Sequence, residues 1–340
     1  CITVCAGTGC LASGSRDVVA ALNQEIEAQG LEVELGFRST GCHGFCEKGP
    51  IIVIDPEEIC YLQVTPEDVP EIIDKTIKGK EVIERLLYVD QNTGEKTVHE
   101  SDIPFYKHQE RMVFGANRRI DPKSFEDYLT IGGYQALVKA FFEMTPEQVV
   151  SEVKAANLRG RGGGGFPAGL KWEITRNAPG ETKYVVVNCD EGDPGAYMDR
   201  SLMEGNPYGV LEGLTIGAYA MGSHEGYVYI RQEYPLALEN LTAAIEDAEE
   251  RGLLGTDILG SGFDFRVTVH RGAGAFVCGE ETALIISLQG EVGEPKPRPP
   301  YPAIEGLWGK PTNINNVETW ANVPLIITGG AQAFASIGTE

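Results

Sequence analysis

The sequence predicts an α/β protein in two parts, a small α/β sandwich followed by a larger α/β domain whose strands run into ligand loops. Three observations carry this. Residues 1–80 alternate as strand, helix, three strands and helix. Two further strand patterns, 183–188 (KYVVVN) and 265–270 (FRVTVH), each lead straight into a glycine- and acid-rich loop. Five of the eight cysteines fall in the first 46 residues, before the chain has room for a large core. The boundaries expected from these shifts are 1–80, a connector over 81–144, and a second domain over 145–340.

In the first segment, 2–5 (ITVC) is a short strand. Ser13 or Ser15 can cap a helix to about Ala28 that carries Val18, Val19, Leu22 and Ile26 at helical spacing. Residues 31–37 alternate as a strand, and 50–55 (PIIVID) and 60–65 (CYLQVT) are two more. Thr65-Pro66-Glu67-Asp68 opens the second helix, with a cap, a proline in the first turn and acids near the positive end. The cysteines lie in the loops of this scheme. Cys5 and Cys10 stand in CAGTGC, and Cys42 and Cys46 in CHGFC. Two close pairs from two loops can converge on one metal centre, and thiolates are the usual ligands of an iron–sulfur cluster. Four thiols also suit zinc or two disulfides. Cys60, inside a strand, is expected to be a small buried hydrophobe.

CAGTGC with GCHGFCEKGP resembles the thioredoxin-like [2Fe–2S] ferredoxin family, which includes the small subunit of the NADH module of respiratory complex I. The resemblance implies a [2Fe–2S] cluster on Cys5, Cys10, Cys42 and Cys46.

The connector carries a local basic run, Lys107, His108, Arg111, Arg118 and Arg119, in an otherwise acidic chain. It reads as a segment packed on the next domain, or as a docking strip for an acidic partner or another cofactor-bearing subunit. Asp121-Pro122 starts a helix there, and 136–142 continues an apolar face.

Thr145-Pro146-Glu147-Gln148 is a capping box that opens a helix to about Asn157. LRGRGGGGFPAGLKWE follows. Gly160, Gly162 and Gly165 match G-x-G-x-x-G literally, but a helix precedes them where the dinucleotide fingerprint needs a strand. No Gly-Lys-Ser/Thr follows, so this is not a P-loop. What remains is bare backbone N–H able to wrap a phosphate, with Arg161 and Lys171 supplying charge. After the 183–188 strand come Asn188, Asp190, Glu191 and Asp193, at the strand end where α/β sheets place ligands. After the 265–270 strand come Gly272, Gly274 and Gly279, and Glu280-Glu281 opens a helix. KPRPPY and the amide-rich 312–319 (TNINNVET) complete the set.

In order, these blocks resemble the family of FMN- and NADH-binding subunits found in complex I and its relatives. The fused N-terminal domain is most similar to the beta subunits of soluble electron-bifurcating NAD-linked hydrogenases and formate dehydrogenases. The fold so implied is α/β, a thioredoxin-like [2Fe–2S] domain followed by a Rossmann-like FMN-binding domain. The resemblance implies that Gly160, Arg161, Gly162, Gly163 and Lys171 line the flavin phosphate and ring. It assigns Asn188, Asp190 and Glu191 to the ribityl and isoalloxazine, with Gly279, Glu280, Asn315 and Asn316 completing the FMN site. Phe166 is implied to stack on the adenine of NADH, and Asp193, Glu281, Arg298 and Tyr301 to hold the rest of the dinucleotide. Four positions depart from the family pattern. Ile174 stands where an aromatic is frequent, Phe276 where a tyrosine is common, Asp193 where some relatives have Glu, and Arg298 where a lysine is common. The last keeps the charge but not its geometry.

The implied activity is NADH:acceptor oxidoreduction, with hydride transfer between NADH and FMN and single electrons passing to iron–sulfur clusters in a multisubunit complex. Partners would be NADH, Fe–S subunits such as a hydrogenase or formate dehydrogenase catalytic subunit, and ferredoxin. A further [4Fe–4S] domain is expected beyond Glu340, and some residues ahead of Cys1, since the numbering does not open on Met. Two other classes compete: a plain NADH dehydrogenase module feeding one chain, and a non-enzymatic Fe–S or docking subunit. NADPH in place of NADH is open too. The net charge of −22 argues against nucleic acid and anionic membranes, which want a basic face. No stretch approaches the ~20 apolar residues of a membrane span. A cytoplasmic location is expected.

Overall fold

Fully buried Ile2 and Val4 anchor the first strand, β1 (Ile2–Cys5), in the core of the N-terminal unit. In the computed structural model, which describes residues 1–31 and 36–337, the chain divides into the units Cys1–Asp127 and Tyr128–Glu340. In the first unit β1 pairs parallel with β2 (Phe37–Thr40) and antiparallel with β3 (Ile52–Ile54). β3 pairs antiparallel with β4 (Ile59–Tyr61), giving the order β2-β1-β3-β4. Of the strand expected over 31–37, residues 32–35 lie outside the described residues.

Helix Ser15–Ala28 buries Val18, Leu22 and Ile26 against Ile2, Val4, Ile52, Ile54 and Tyr61. A short helix, Thr8–Ala12, precedes it. The serine cap expected for the longer helix is corrected here. Its N-cap is Gly14, at φ 98°. Ser13 instead donates back to Gly9 O (3.1 Å), and the Ser15 hydroxyl is turned into the protein. The start at Thr65 is as expected: the Thr65 N–H donates to Asp68 Oδ2 (2.8 Å), with Pro66 in the first turn. Farther on, β5 (Tyr88–Val89) and β6 (Lys96–Thr97) form a small hairpin.

The second unit is organised on four parallel strands, β7 (Tyr184–Cys189), β8 (Glu225–Arg231), β9 (Arg266–Gly272) and β10 (Thr312–Asn316), in the order β10-β7-β8-β9. Val185, Val186 and Val187 are wholly buried, as the central strands of a parallel sheet covered on both faces require. Helices supply the crossovers: Pro207–Met221 between β7 and β8, Pro235–Glu250 between β8 and β9, and Glu281–Leu288 between β9 and β10. The chain leaves β7 toward β8 and returns to its other side at β10. The order therefore reverses between β7 and β10, which is where doubly wound sheets open a ligand crevice beyond the strand ends. The expected α/β class holds, and the sheet of the larger unit is parallel. No helix among the described residues is long and apolar enough to cross a membrane.

Helix Pro146–Ala155 carries the capping box that the sequence announces. Thr145 accepts from Gln148 N (3.3 Å), and Gln148 Oε1 accepts from Thr145 N (2.7 Å). Thr145→Ala is expected to cost ~1 kcal/mol of unit stability in urea unfolding, the usual value of a lost cap.

Candidate cofactor sites

The loops after β1 and β2 bring the four cysteines together. Cys42 and Cys46 sulfurs are 3.4 Å apart, and Cys5 contacts both Cys10 and Cys42. The backbone is cut to fit the sulfurs. A Cβ on Gly49 would come within 2.6 Å of Cys10 Sγ, so only glycine allows this approach. Gly44 N–H donates to Cys42 Sγ (3.3 Å), a bond that favours thiolate. The thiols of Cys46 and Cys5 pull the Cys42 thiol well below its ordinary acidity range, against the effect of burial. Among the described residues no three His, Cys, Asp or Glu side chains gather round one ion-sized point. The sulfurs instead meet as a chain, Cys10 to Cys5 to Cys42 to Cys46, a donor set of the soft thiolate kind that a two-iron cluster takes. Cys60 is fully buried and its thiol is pushed well up by that burial, as expected of a packing residue. Behind Cys42, buried His43 takes Thr40 on one side (2.7 Å) and faces Glu100 on the other (3.6 Å).

In the second unit a cavity of about 750 Å³ opens at the β7/β10 switch point, within the size range of small-molecule and cofactor sites. Asn188 and Asn316 are register partners at the ends of the two strands, and both line it. Asn188 Nδ2 donates to Gly279 O (2.9 Å), which ties the loop after β9 to the end of β7. The glycine loop forms another wall. It is pinched at its base by a bridge between Arg159 and Pro167, with Gly160 N donating to Phe166 O (2.9 Å). Gly163 sits at φ +94°, a conformation that disfavours a side chain.

Of the residues expected at the FMN site, Gly160, Gly162, Lys171, Asn188, Gly279, Glu280, Asn315 and Asn316 line the cavity. Of those expected for the dinucleotide, Phe166, Glu281, Arg298 and Tyr301 do. Arg161, Gly163, Asp190, Glu191 and Asp193 are not among its walls. Arg161 N donates to Thr319 Oγ1 (2.9 Å). Asp190 lies behind the Asn188 loop, paired with Arg231 Nη1 (2.6 Å), and its second oxygen is buried without a hydrogen bond. Glu191 caps helix Met198–Gly205, accepting from Met198 N, Asp199 N and Arg200 N at 2.8–3.2 Å. Asp193 is exposed.

The cavity carries mixed charge. Lys171 Nζ donates to Ile314 O (2.7 Å) and stands 3.9 Å from Glu281; burial pushes its pKa down. Arg298 pairs with Glu281 at 2.5 Å and lies 3.9 Å from Glu280. Glu280 caps helix Glu281–Leu288 through Thr282 N (2.9 Å) and Ala283 N (3.1 Å). Bare glycine backbone, a partly buried ammonium and amide side chains are the donor set a flavin phosphate and polyol want. Phe166 and Ile174 both line the cavity and are half-exposed. Residues 302–304 also form walls, and the sequence does not single them out. The proline-rich run ahead of them is the one available signal.

The family model described as Nuo51 FMN-binding domain matches residues 153–325, and that of the thioredoxin-like [2Fe-2S] ferredoxin matches residues 1–77. The chain is 56% identical over 220 residues to the NADP-reducing hydrogenase subunit HndC of Solidesulfovibrio fructosivorans, covering 65% of this chain and 44% of that one. It is 52% identical over 209 residues to an NADH-quinone oxidoreductase subunit of Rhizobium meliloti, covering 62% and 50%. The chain thus spans about half the length of the curated relatives it matches. Among solved structures it resembles an NAD+-reducing [NiFe]-hydrogenase in the H2-reduced state, with a TM-score of 0.58, 27% identity, and coverage of 99% of this chain and 54% of that one.

Proposed function

We propose, from the premise that this chain belongs to the Nuo51 FMN-binding domain family, that it is the NADH-oxidising flavin module of a multisubunit redox enzyme of the hydrogenase or formate dehydrogenase kind. The observation that carries this is the cavity at the β7/β10 switch point, walled by the glycine loop, paired Asn188 and Asn316, and Lys171. Bound FMN supplies the hydride acceptance from NADH and the one-electron release that the activity needs. The chain's own residues bind and orient. The glycine loop and Lys171 hold phosphate. Asn188, Asn315 and Asn316 present amides at fixed strand ends, and Asp190 is held by Arg231. Phe166, Glu281, Arg298 and Tyr301 receive the dinucleotide, and no protein base is required. Cys5, Cys10, Cys42 and Cys46 hold the [2Fe–2S] cluster. The resemblance to hydrogenase subunits supports a complex that also meets a low-potential acceptor such as ferredoxin, with electrons divided between two paths.

The test is anaerobic absorbance and EPR of the FMN- and iron–sulfur-reconstituted chain before and after NADH. The expected result is bleaching of the flavin on NADH addition and, with dithionite, a [2Fe–2S] signal that Cys42→Ser removes or alters. Zinc in place of iron, or failure to bind FMN, would overturn the reading.

A further inference from the structure

Asp199 lies one layer behind the cavity wall, in helix Met198–Gly205, and is 4% exposed. One of its oxygens accepts from Asn316 Nδ2 (2.6 Å); the other is buried and makes no hydrogen bond of ordinary geometry. Asn316 lines the cavity, so it connects the carboxyl to whatever the cavity holds.

The charged surroundings of Asp199 are one-sided. Glu191 faces it from the segment after β7, and Glu318 faces it from helix Val317–Gly329. The buried Cys189 thiol at the end of β7 is the other titratable neighbour, and burial keeps it protonated. On its own helix, Arg200 turns to Glu204 (3.7 Å). Glu318 in turn has Arg161 4.0 Å from its carboxylate. Among the described residues no ion pair reaches Asp199. A carboxyl stripped of water, set among like charges and without a cation, holds its proton. Its ordinary acidity is displaced accordingly, up to about 8, first by burial and then by Glu191; the amides of Asn316 and Glu318 pull the other way and do not offset this.

We propose that Asp199 stands behind the cavity as a neutral acid, a positioning residue whose single proton governs how tightly the anionic flavin nucleotide is held through Asn316. This rests on reading the cavity as the FMN site. With the proton in place, the carboxyl orients the Asn316 amide and adds no charge. When the proton leaves to solvent, a third negative charge joins Glu191 and Glu318 behind the wall of a cavity read as holding an anion that is already close to dianionic. The sign follows from linkage. A bound anion raises the affinity of Asp199 for its proton, so FMN binds more tightly below the transition and less tightly above it.

The test is titration of the 340-residue chain with FMN, followed by flavin fluorescence quenching from about pH 7 to 9.5, the range that brackets a carboxyl displaced this far by burial. Tryptophan fluorescence monitors folding over the same range. Affinity is expected to fall about tenfold across the range, the change that one pKa unit of coupling produces. Asp199→Asn, which keeps shape and neutrality, is expected to lose clearly less affinity than wild type over this range, the remaining fall belonging to Lys171, whose ammonium burial weakens. Glu318→Gln removes one facing charge, so ionisation of Asp199 becomes easier and the transition is expected to move to lower pH. A flat wild-type profile, or an Asp199→Asn profile that matches wild type, overturns the proposal and leaves the FMN site standing. No FMN binding at any pH overturns both.

Discussion

Replacing Glu212 with Ala is expected to cost the C-terminal unit ~3–5 kcal/mol, the scale of leaving three buried donors without an acceptor. Glu212 is 1% exposed on helix Pro207–Met221. It accepts from Tyr128 OH (2.5 Å), Tyr134 N (2.9 Å) and Leu137 N (3.0 Å). Two of these donors belong to the opening turn of helix Gln135–Glu143, where the helix dipole favours a negative charge. Burial raises the Glu212 pKa, and the Tyr128 hydroxyl and the amides only partly offset that rise. Truncation would leave all three donors orphaned in a dry site, and each unmade bond costs ~1–3 kcal/mol less whatever water recovers. Glu212→Gln should lose less, because one carbonyl oxygen still accepts while the amide nitrogen meets a donor. Trp172, Trp308 and Trp320 are the chain's tryptophans and all lie in the C-terminal unit, so tryptophan fluorescence in urea reads this unit alone. A loss below ~1 kcal/mol for Glu212→Ala would mean that water replaces the carboxylate at little cost.

That interaction is invisible in the sequence, because Tyr128 and Glu212 stand 84 positions apart and nothing local links them. Local chemistry is legible. The boxes at Thr65 and Thr145 are each written in four residues, and both form. The valine run of β7 announces a buried strand, and the glycine, acid and amide blocks point to one site although they are scattered between Gly160 and Thr319. What stays hidden is pairing. TNINN is polar and lacks strand alternation, so its amides draw notice but its place beside β7 does not. That place creates the switch point, and the switch point is why Asn316 faces the cavity. Glu191 shows the opposite limit. Its acidity is plain, but its lone pairs go to three helix amides, and only the turn of the chain at 198–200 reveals that. Gly14 taking the cap from two flanking serines is a smaller case, since the left-handed φ it supplies outweighs a side-chain acceptor.

In the N-terminal unit, Arg118→Met is expected to cost a further ~3–5 kcal/mol at neutral pH, because it strands a buried carboxylate. Arg118 belongs to the basic run of the connector, yet it is mostly buried and spent internally. Its Nε pairs with Glu100, and its Nη2 lies 3.0 Å from Asp55 and 4.0 Å from Glu58. Glu100, 6% exposed, stands between this guanidinium and His43. Burial pushes the Glu100 carboxyl up, but His43 and Arg118 outweigh it, and the net pKa lies below the usual range. The sign is that of a depressed acid. Its contribution is present above the unfolded pKa of ~4.3 and is lost as the pH falls through the folded value. Arg118→Met should therefore be most damaging at neutral pH and approach wild type in acid, where Glu100 is protonated in both. The double variant Glu100→Met with Arg118→Met should recover most of the loss, because a buried ion pair replaced by apolar groups of similar size is often neutral, while half a pair is not. Hydrogen exchange of the β1–β4 amides measures this in the unit that lacks tryptophan. A double variant as unstable as the single would show that the pair contributes shape to the loop behind Cys42, and that charge is the lesser part.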